Sequence, residues 1–585
     1  MSLDRQAIVS RIIRVLPVVV ICFYVISITL RASDERTSYS SSMWFAKPAE
    51  LPKDVFDLPY FDNYRVGGKL DLEKAQEELE KLSNDDLPMA QQLFDIFAWR
   101  TFIALNSPAL PNGEPDLSRS IGDFGNGPLV WEFWQQPSDI FLPGGALPKW
   151  ANSPDHTMDH FKAGWRQTPS VNEGKQAFSG PLIDQQGHWV HYVSLVNQKE
   201  FDYLIQNGLY YLEGQEAFSK KNQVRFPVNT DTAYGAIEIK LAWKQLSAEE
   251  IASHRFLMRD LRVVSYRPSC STPPDAVIPA HKSGNAADNK TSQRTPNKTL
   301  GLIGMHIAMR TRSSPQWIWS TFEQIDNTRL DLTSGDDNHK LPSHPSLANP
   351  DNPDTLVGAN LLPDYNSPSC NGKPPNDWDE TPNDGDHDLK KPEALAPGFL
   401  PPIEVLRLVP PPQGTERVNL EAQTFLKSKN SVLRFYELDG TQWPKHPKSP
   451  AVAGGEGSAP ESIIRKMPGE MVPIYLTNAT METYFQKGFQ VAGPLEQDNR
   501  LTSNALTDSK MVFATESCVG CHYSAGICIG FRRDAVGKLI LDSHGNKIPI
   551  YGENGNDGLN GNGNFSWLLQ LEAKAQYPKS DPIGK

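Results

Sequence analysis

The sequence predicts an α+β fold: a mixed body of helices and strands with long Pro/Asn-rich loops, followed by a small, mainly helical C-terminal segment. Two periodicities predict it. In "PMAQQLFDIFAWRTFIALNSP", Leu93, Ile96, Phe97 and Phe102 to Leu105 recur at helical spacing and form a wide apolar face that must be buried. In "GHWVHYVSLVN" and "GAIEIKLAWKQL" the residues alternate as strands do, with Ile237, Ile239, Leu241 and Trp243 on one face. The two patterns are interspersed without a regular βαβ rhythm. No repeat of solenoid or propeller period is visible.

Residues 1–33 come first and read as an address. Arg5, Arg11 and Arg14 precede sixteen uncharged residues, Val15 to Leu30, which is the n-region and h-region of an export signal. That run is short for a free-standing membrane helix, which needs about 20 apolar residues. The following "RASDE" is a poor cleavage site, so a cleaved signal peptide and an uncleaved membrane anchor both remain open. Residues 34–69 form a polar spacer.

Residues 70–402 form the first part of the body. "LDLEKAQEELEKL" reads as a helix ahead of the apolar one, and after the two strands Ser247 and Glu250 form a capping box that opens a short helix. "GLIGMHIAMRTRSSPQWIWSTFEQIDN" is an apolar run followed by an aromatic cluster. It lies between two stretches, 268–298 and 340–402, that are rich in Pro, Asn, Asp and Ser and lack periodicity. Residues 403–500, the second part of the body, contain strands such as "SVLRFYEL" and "MVPIYLTN". The final segment, 501–585, brings a short helix in "LTDSKMVFATESCVGCH" and a C-terminal helix in "NFSWLLQLEAKAQYP", with the Gly/Asn-rich turn "YGENGNDGLNGNGN" between them.

Composition sets bounds on function. A net charge of −12 without a Lys/Arg stripe argues against a nucleic-acid partner, because phosphate binding rests on such stripes. No Gly-rich phosphate loop, dinucleotide fingerprint or G-x-S-x-G elbow is present.

The chemistry concentrates in "ATESCVGCHYSAG". Cys518, Cys521 and His522 form C-x-x-C-H, the attachment pattern of a c-type haem: two thiols add across the vinyl groups and the adjacent imidazole reaches the iron. One such motif predicts one covalent haem c. Covalent attachment is completed outside the cytoplasmic membrane, so the motif and the N-terminal segment name the same compartment, periplasmic or periplasm-facing. In an oxidising compartment Cys270 and Cys370, both in Pro-rich loops, either form a bridge worth about 4.7 kcal/mol in the chain-entropy model or remain two thiols. Cys528 is left odd and reads as buried, and Cys22 falls in the apolar signal segment.

Other sites are weaker. "HTMDH", His156 to His160, has Asp where an inverted zinc-protease motif has Glu, and its carboxylate is one methylene too short. His188 and His191, three apart on a strand, point to opposite faces. The acidic run at 376–388 lacks the ligand spacing of an EF-hand loop. Trp131, Trp134, Trp317 and Trp319 read first as core and second as haem-lining.

Taken together, "WRTFIALNSP", "VWEFW", "GLIGMHI", "PQWIWSTFEQIDN", "SCVGCH" and "NFSWLL" resemble a group of exported bacterial proteins known as cytochrome c family proteins, over most of the mature chain. The resemblance implies a mono-haem periplasmic protein whose large N-terminal part has no assigned activity. It carries over only Cys518, Cys521 and His522.

The expected role is one-electron transfer with a redox donor and acceptor that no motif names. A peroxidase-like oxidoreductase with a pocket in the body, or a haem-based redox or gas sensor, are the alternatives. The sixth iron ligand separates them. No Met follows His522, and downstream only His544 could serve. Upstream stand Met511, Met481 and the trio Met305, His306 and Met309; Met481 and His306 rank equally as metal ligands, alongside an open site. Core filling for Met481 and a satisfied core position for His306 are the bland readings.

Overall fold

The structure is a computed structural model that describes residues 50–150, 182–262, 297–328, 345–348, 405–445, 471–483, 518–552 and 561–576, apart from short gaps within those ranges. All of these belong to one compact unit, Lys47–Lys585. Helices and strands both contribute, as the two periodicities predict. The N-terminal segment, Cys270, Cys370, His156 to His160, His188, Met511, His544 and the acidic run at 376–388 lie outside the described residues. Among the described residues, no helix is long and apolar enough to cross a membrane.

The centre is a seven-stranded antiparallel sheet. Its strands are β1 (His191–Val196), β2 (Ile237–Gln245), β3 (Met258–Arg262), β4 (Asn297–Met309), β5 (Ile318–Gln324), β6 (Tyr436–Pro444) and β7 (Met471–Val472). The order is β1-β2-β4-β5-β6-β7, with β3 beside the first half of β4 and β5 beside its second half. Residues that pair across strands share a face, so the register sorts every side chain.

One face carries Ile237, Ile239, Leu241 and Trp243 of β2, Met305, Ile307 and Met309 of β4, and Phe322 of β5. It is covered by helix α2 (Leu87–Leu105), which follows α1 (Leu72–Asp85), and by α6 (Gln413–Ser428). Phe102 stacks on Phe322 at 4.1 Å, and Phe94 stacks on Trp443 at 4.3 Å. The helix was legible from its apolar face, and almost all of it is buried from Met89 to Leu105. Asp86 caps it by accepting the Met89 N–H, and Pro88 fits the first turn, where no intrahelical acceptor is needed.

The opposite face carries the remaining side chains of these strands. A transverse row runs Ser194, Lys240, His306, Thr321 and Gly440; the next runs Val196, Glu238, Ala308, Trp319 and Gln442. Over this face lie α3 (Gln198–Gln206), α4 (Leu212–Ser219), the loop at 475–483 and the C-terminal segment. That last segment contributes α7 (Cys518–His522), the hairpin β8 (Cys528–Phe531) with β9 (Pro549–Tyr551), and α8 (Leu568–Glu572). The hairpin adds strand to a segment whose sequence suggested mainly helix. The capping box at Ser247 and Glu250 forms as predicted on α5 (Ala248–Ser253). The first half of "SVLRFYEL" is a turn of 3-10 helix, Val432–Phe435, and its strand begins only at Tyr436.

Candidate functional site

Cys518, Cys521 and His522 share the five-residue helix α7, and neither thiol is in a disulfide. The helix is held from several sides. The Val519 N–H donates to the Gln442 side-chain oxygen on the sheet at 2.9 Å, and the Cys518 thiol faces the Leu476 carbonyl at 3.8 Å. The Trp567 indole N–H donates to the Cys521 carbonyl at 3.3 Å. Trp319, on the sheet face below, packs its ring 4.5 Å from the ring of His522. Trp319 is a buried core residue, as read first from the sequence, and one that touches His522. Trp317 instead donates its indole N–H to the Asn564 carbonyl at 3.1 Å, and Trp131 donates to Asn106 on the helix side of the sheet.

The decisive contact is at the His522 ring. Nδ1 lies 2.7 Å from the Phe565 carbonyl, which can only accept, so Nδ1 carries the proton and Nε2 is left with its lone pair. Burial pushes the imidazole down to about 4, which the bond to Phe565 opposes and the charges of His306 and Lys240 reinforce. The ring is therefore neutral at neutral pH. A neutral histidine whose second nitrogen is fixed by a carbonyl is the state a metal ligand requires. Burial, then the Glu482 carboxylate, pushes the Cys518 thiol well above its ordinary value. Cys528 is buried as the sequence suggested, its thiol pushed up to about 12 by burial.

Register separates the body's candidate ligands by face. Met305 and Met309 fall on the helix face, where Met305 sulfur accepts from the Asn106 amide at 3.4 Å. His306, between them, falls on the face that carries Trp319. Met481 sits in the loop above that face but packs among Leu182, Val190, Ala242, Ile303 and Ala479. Its neighbour Glu482 brings Oε2 to 3.3 Å from His306 Nε2, and the same oxygen accepts the Asn478 N–H at 2.8 Å. Burial would raise the Glu482 carboxyl, but His306, Lys240 and Asn478 outweigh it and hold it below the usual range.

The loop itself is tied to the sheet. Asn478 donates to the Thr321 hydroxyl and the Phe322 carbonyl, the Ala479 N–H donates to Glu323, and Tyr192 donates to the Thr480 carbonyl at 2.6 Å. Gly304 is required by this close approach, since a Cβ there would collide with the Thr480 hydroxyl. Arg407 braces the same edge with ion pairs to Glu323, Glu437 and Asp439.

Sequence reasoning missed Glu482, Lys240, Gln442 and the Phe565 carbonyl. Lys240 and Glu238 had a signal: they occupy the polar positions of a strand whose other face was read as apolar. The segment that covers them is some 280 residues further on, beyond the reach of any local pattern. Among the described residues no three His, Cys, Asp or Glu side chains converge as a metal cage. A haem iron asks less of the chain, because the macrocycle supplies four ligands and the protein at most two. No protein-family model, curated protein or solved structure matches the chain.

Proposed function

We propose that this protein is an exported mono-haem c-type cytochrome of α+β fold that carries out one-electron transfer. The observation that carries the reading is the His522 tautomer: the Phe565 carbonyl takes the Nδ1 proton and leaves Nε2 for iron, one residue after the second of two cysteines on the same short helix. Cys518 and Cys521 would hold the porphyrin through thioether bonds, and His522 would be its proximal ligand. When bound, the group supplies a one-electron redox couple. The chain's own part is to desolvate His522, keep it neutral and pin its ring between Trp319 and Phe565. The export reading rests on Val15 to Leu30 and on where haem attachment is completed; it predicts that protease added to spheroplasts reaches the body.

The test is covalent haem. Wild-type protein should retain one haem per chain through denaturation, visible as peroxidase staining on a denaturing gel, and the double change Cys518→Ser with Cys521→Ser should abolish it. Staining that survives both changes defeats the assignment.

A further inference from the structure

We infer that Arg310, Arg225 and Tyr203 form a binding site for a small oxyanion, a carboxylate or an inorganic phosphate. The inference does not rest on the haem reading. Arg310 follows the last residue of β4, and its N–H still donates to the Ala236 carbonyl at 2.9 Å. The pleat therefore carries on, and Arg310 stands on the face of His306 and Ala308, the face that α3 covers. Tyr203 of α3 packs its ring 5.1 Å from Phe226, and Phe226 packs 5.6 Å from Trp317, which the β4–β5 register sets opposite Arg310. Arg225 precedes Phe226, and its backbone N–H donates to the Tyr203 hydroxyl at 2.8 Å. Three segments distant in the chain thus bring two guanidinium groups and a phenol to one place.

What is missing there is an acceptor. Arg310 is only 5% exposed, and of its five N–H donors the one that bonds among the described residues is Nε–H, to the Pro315 carbonyl at 3.1 Å. Its two terminal nitrogens meet no acceptor among the described residues, yet they are not sealed in. The charged and titratable groups that face it are Tyr203 and Arg225, and no described carboxylate joins them. Other arginines on this sheet are answered: Arg312, two residues on, takes Asp231 at 2.9 Å, and Arg407 takes three acids. Asp202, beside Tyr203 on α3, feels the charge of Lys199 and not that of Arg310.

The charges make the same point. Burial pushes the Arg310 guanidinium down to about 10; Tyr203 opposes this and the like charge of Arg225 adds to it. Arg310 is still a cation at neutral pH, and a cation taken out of water without a counter-charge is costly. Burial pushes the Tyr203 phenol up against the Arg225 N–H and the two guanidinium charges, so it keeps its proton. Its oxygen already accepts from Arg225, which leaves the O–H to donate. Arg225, at the surface, gives one terminal nitrogen to Gln223 at 2.9 Å and has the rest of its fork to offer. An oxyanion would accept from the Arg310 fork and from Tyr203 while supplying the missing negative charge. With so little of Arg310 accessible, the way in suits a single carboxylate or phosphate group.

The experiment is isothermal titration calorimetry on the purified full-length chain in a buffer free of phosphate and carboxylates. Sodium phosphate, sodium acetate and sodium chloride are the titrants, at matched ionic strength. Phosphate or acetate should bind saturably at one site and chloride should not; the tighter of the two identifies the source of the oxyanion. Arg310→Gln should weaken that binding by about tenfold or more, since it removes a charge-assisted fork. Tyr203→Phe, which removes one hydroxyl and keeps the ring against Phe226, and Arg225→Gln, an exposed change, should each weaken it severalfold. These two decide the matter if far-UV circular dichroism shows that Arg310→Gln does not fold. The heat of anion binding is read without reference to haem, so failure of this site and failure of the haem assignment are told apart. No saturable heat with either oxyanion, chloride binding as tightly as they do, or an unchanged affinity in folded Arg310→Gln would overturn the site. So would an unchanged affinity in both Tyr203→Phe and Arg225→Gln.

Discussion

Phe565 holds its backbone at φ 72, directly after Asn564 at φ 52. An asparagine tolerates the left-handed region; a phenylalanine there costs about 1–3 kcal/mol and persists only when its surroundings enforce it. Those surroundings are visible. The Asn564 carbonyl accepts from Trp317, which is itself at φ 69, its side-chain oxygen accepts the Phe226 N–H, and its own N–H donates to the Asn562 side chain. The strain aims the Phe565 carbonyl at His522. Elsewhere a single residue sets a pH dependence. Asp95 is fully buried on α2 and accepts hydrogen bonds from Gln91 and Thr415; burial, opposed by those bonds, pushes its carboxyl up to about 7. Between about pH 4 and 7 the folded chain keeps a proton that the unfolded chain has released, so stability falls as pH rises through that window and is level above it. The loss is a few kcal/mol at most. Asp95→Asn should flatten this slope in urea titrations at pH 5 and pH 8, and a slope equal to wild type would show that Asp95 is not its source.

At the scale of elements, α6 shows how a helix is held to a sheet through one polar side chain. Asn419 accepts the Trp99 indole N–H at 2.9 Å and the Leu438 N–H at 3.0 Å, and donates to the Leu438 carbonyl at 2.9 Å. It joins α2, α6 and β6 where no water reaches. Asn419→Ala strands three buried polar groups, each worth about 1–3 kcal/mol when unsatisfied. A loss of about 3 kcal/mol or more is expected, read as a lower urea midpoint at unchanged m; a loss under about 1 kcal/mol would refute the role. This helix was not anticipated from the sequence. Val418, Ala422 and Leu426 do recur every four residues, but the stripe is narrow and lies beside polar Asn419 and Gln423. The seven-strand sheet was visible only in part, through the alternation of β1 and β2. β4 read as an apolar run without period because its helix-facing Met305, Ile307 and Met309 alternate with Gly304 and Ala308 as well as His306.

At the scale of the whole molecule, the C-terminal segment is built into the body. Val519, Ile527, Cys528, Phe565 and Leu569 share one core with Phe201, Leu204, Phe226, Ala308 and Trp319. Gln215 on α4 adds polar stitches to the Leu569 carbonyl and the Cys528 N–H. If the proposed haem is bound there, its loss should be felt throughout. The variant Cys518→Ser with Cys521→Ser is expected to melt several degrees below the holoprotein in a single calorimetric transition, since a group bound only by the folded state stabilises it by mass action. An unchanged melting temperature, or a small separate transition for the C-terminal segment, would show that the two parts are independent.

The sequence alone determined what is local. C-x-x-C-H needs no fold to be recognised as a motif, because its three groups lie within one turn of chain, and the α2 face, the capping box at Ser247 and the α+β class follow from spacings of two to four residues. Tertiary structure decided everything that depends on distant residues meeting. His306 and Met481 were equal as words in a sequence; the pleat placed His306 beside the Trp319 that supports His522, and packing placed Met481 in an aliphatic pocket. Glu482, Gln442 and the Phe565 carbonyl carry no motif, since a carboxylate, an amide and a backbone oxygen are found everywhere. Their places come from two hydrogen bonds and one ion-pair contact that span 43 to 176 residues of chain, and only a folded sheet with its cover in place brings such groups within 3.3 Å of their partners.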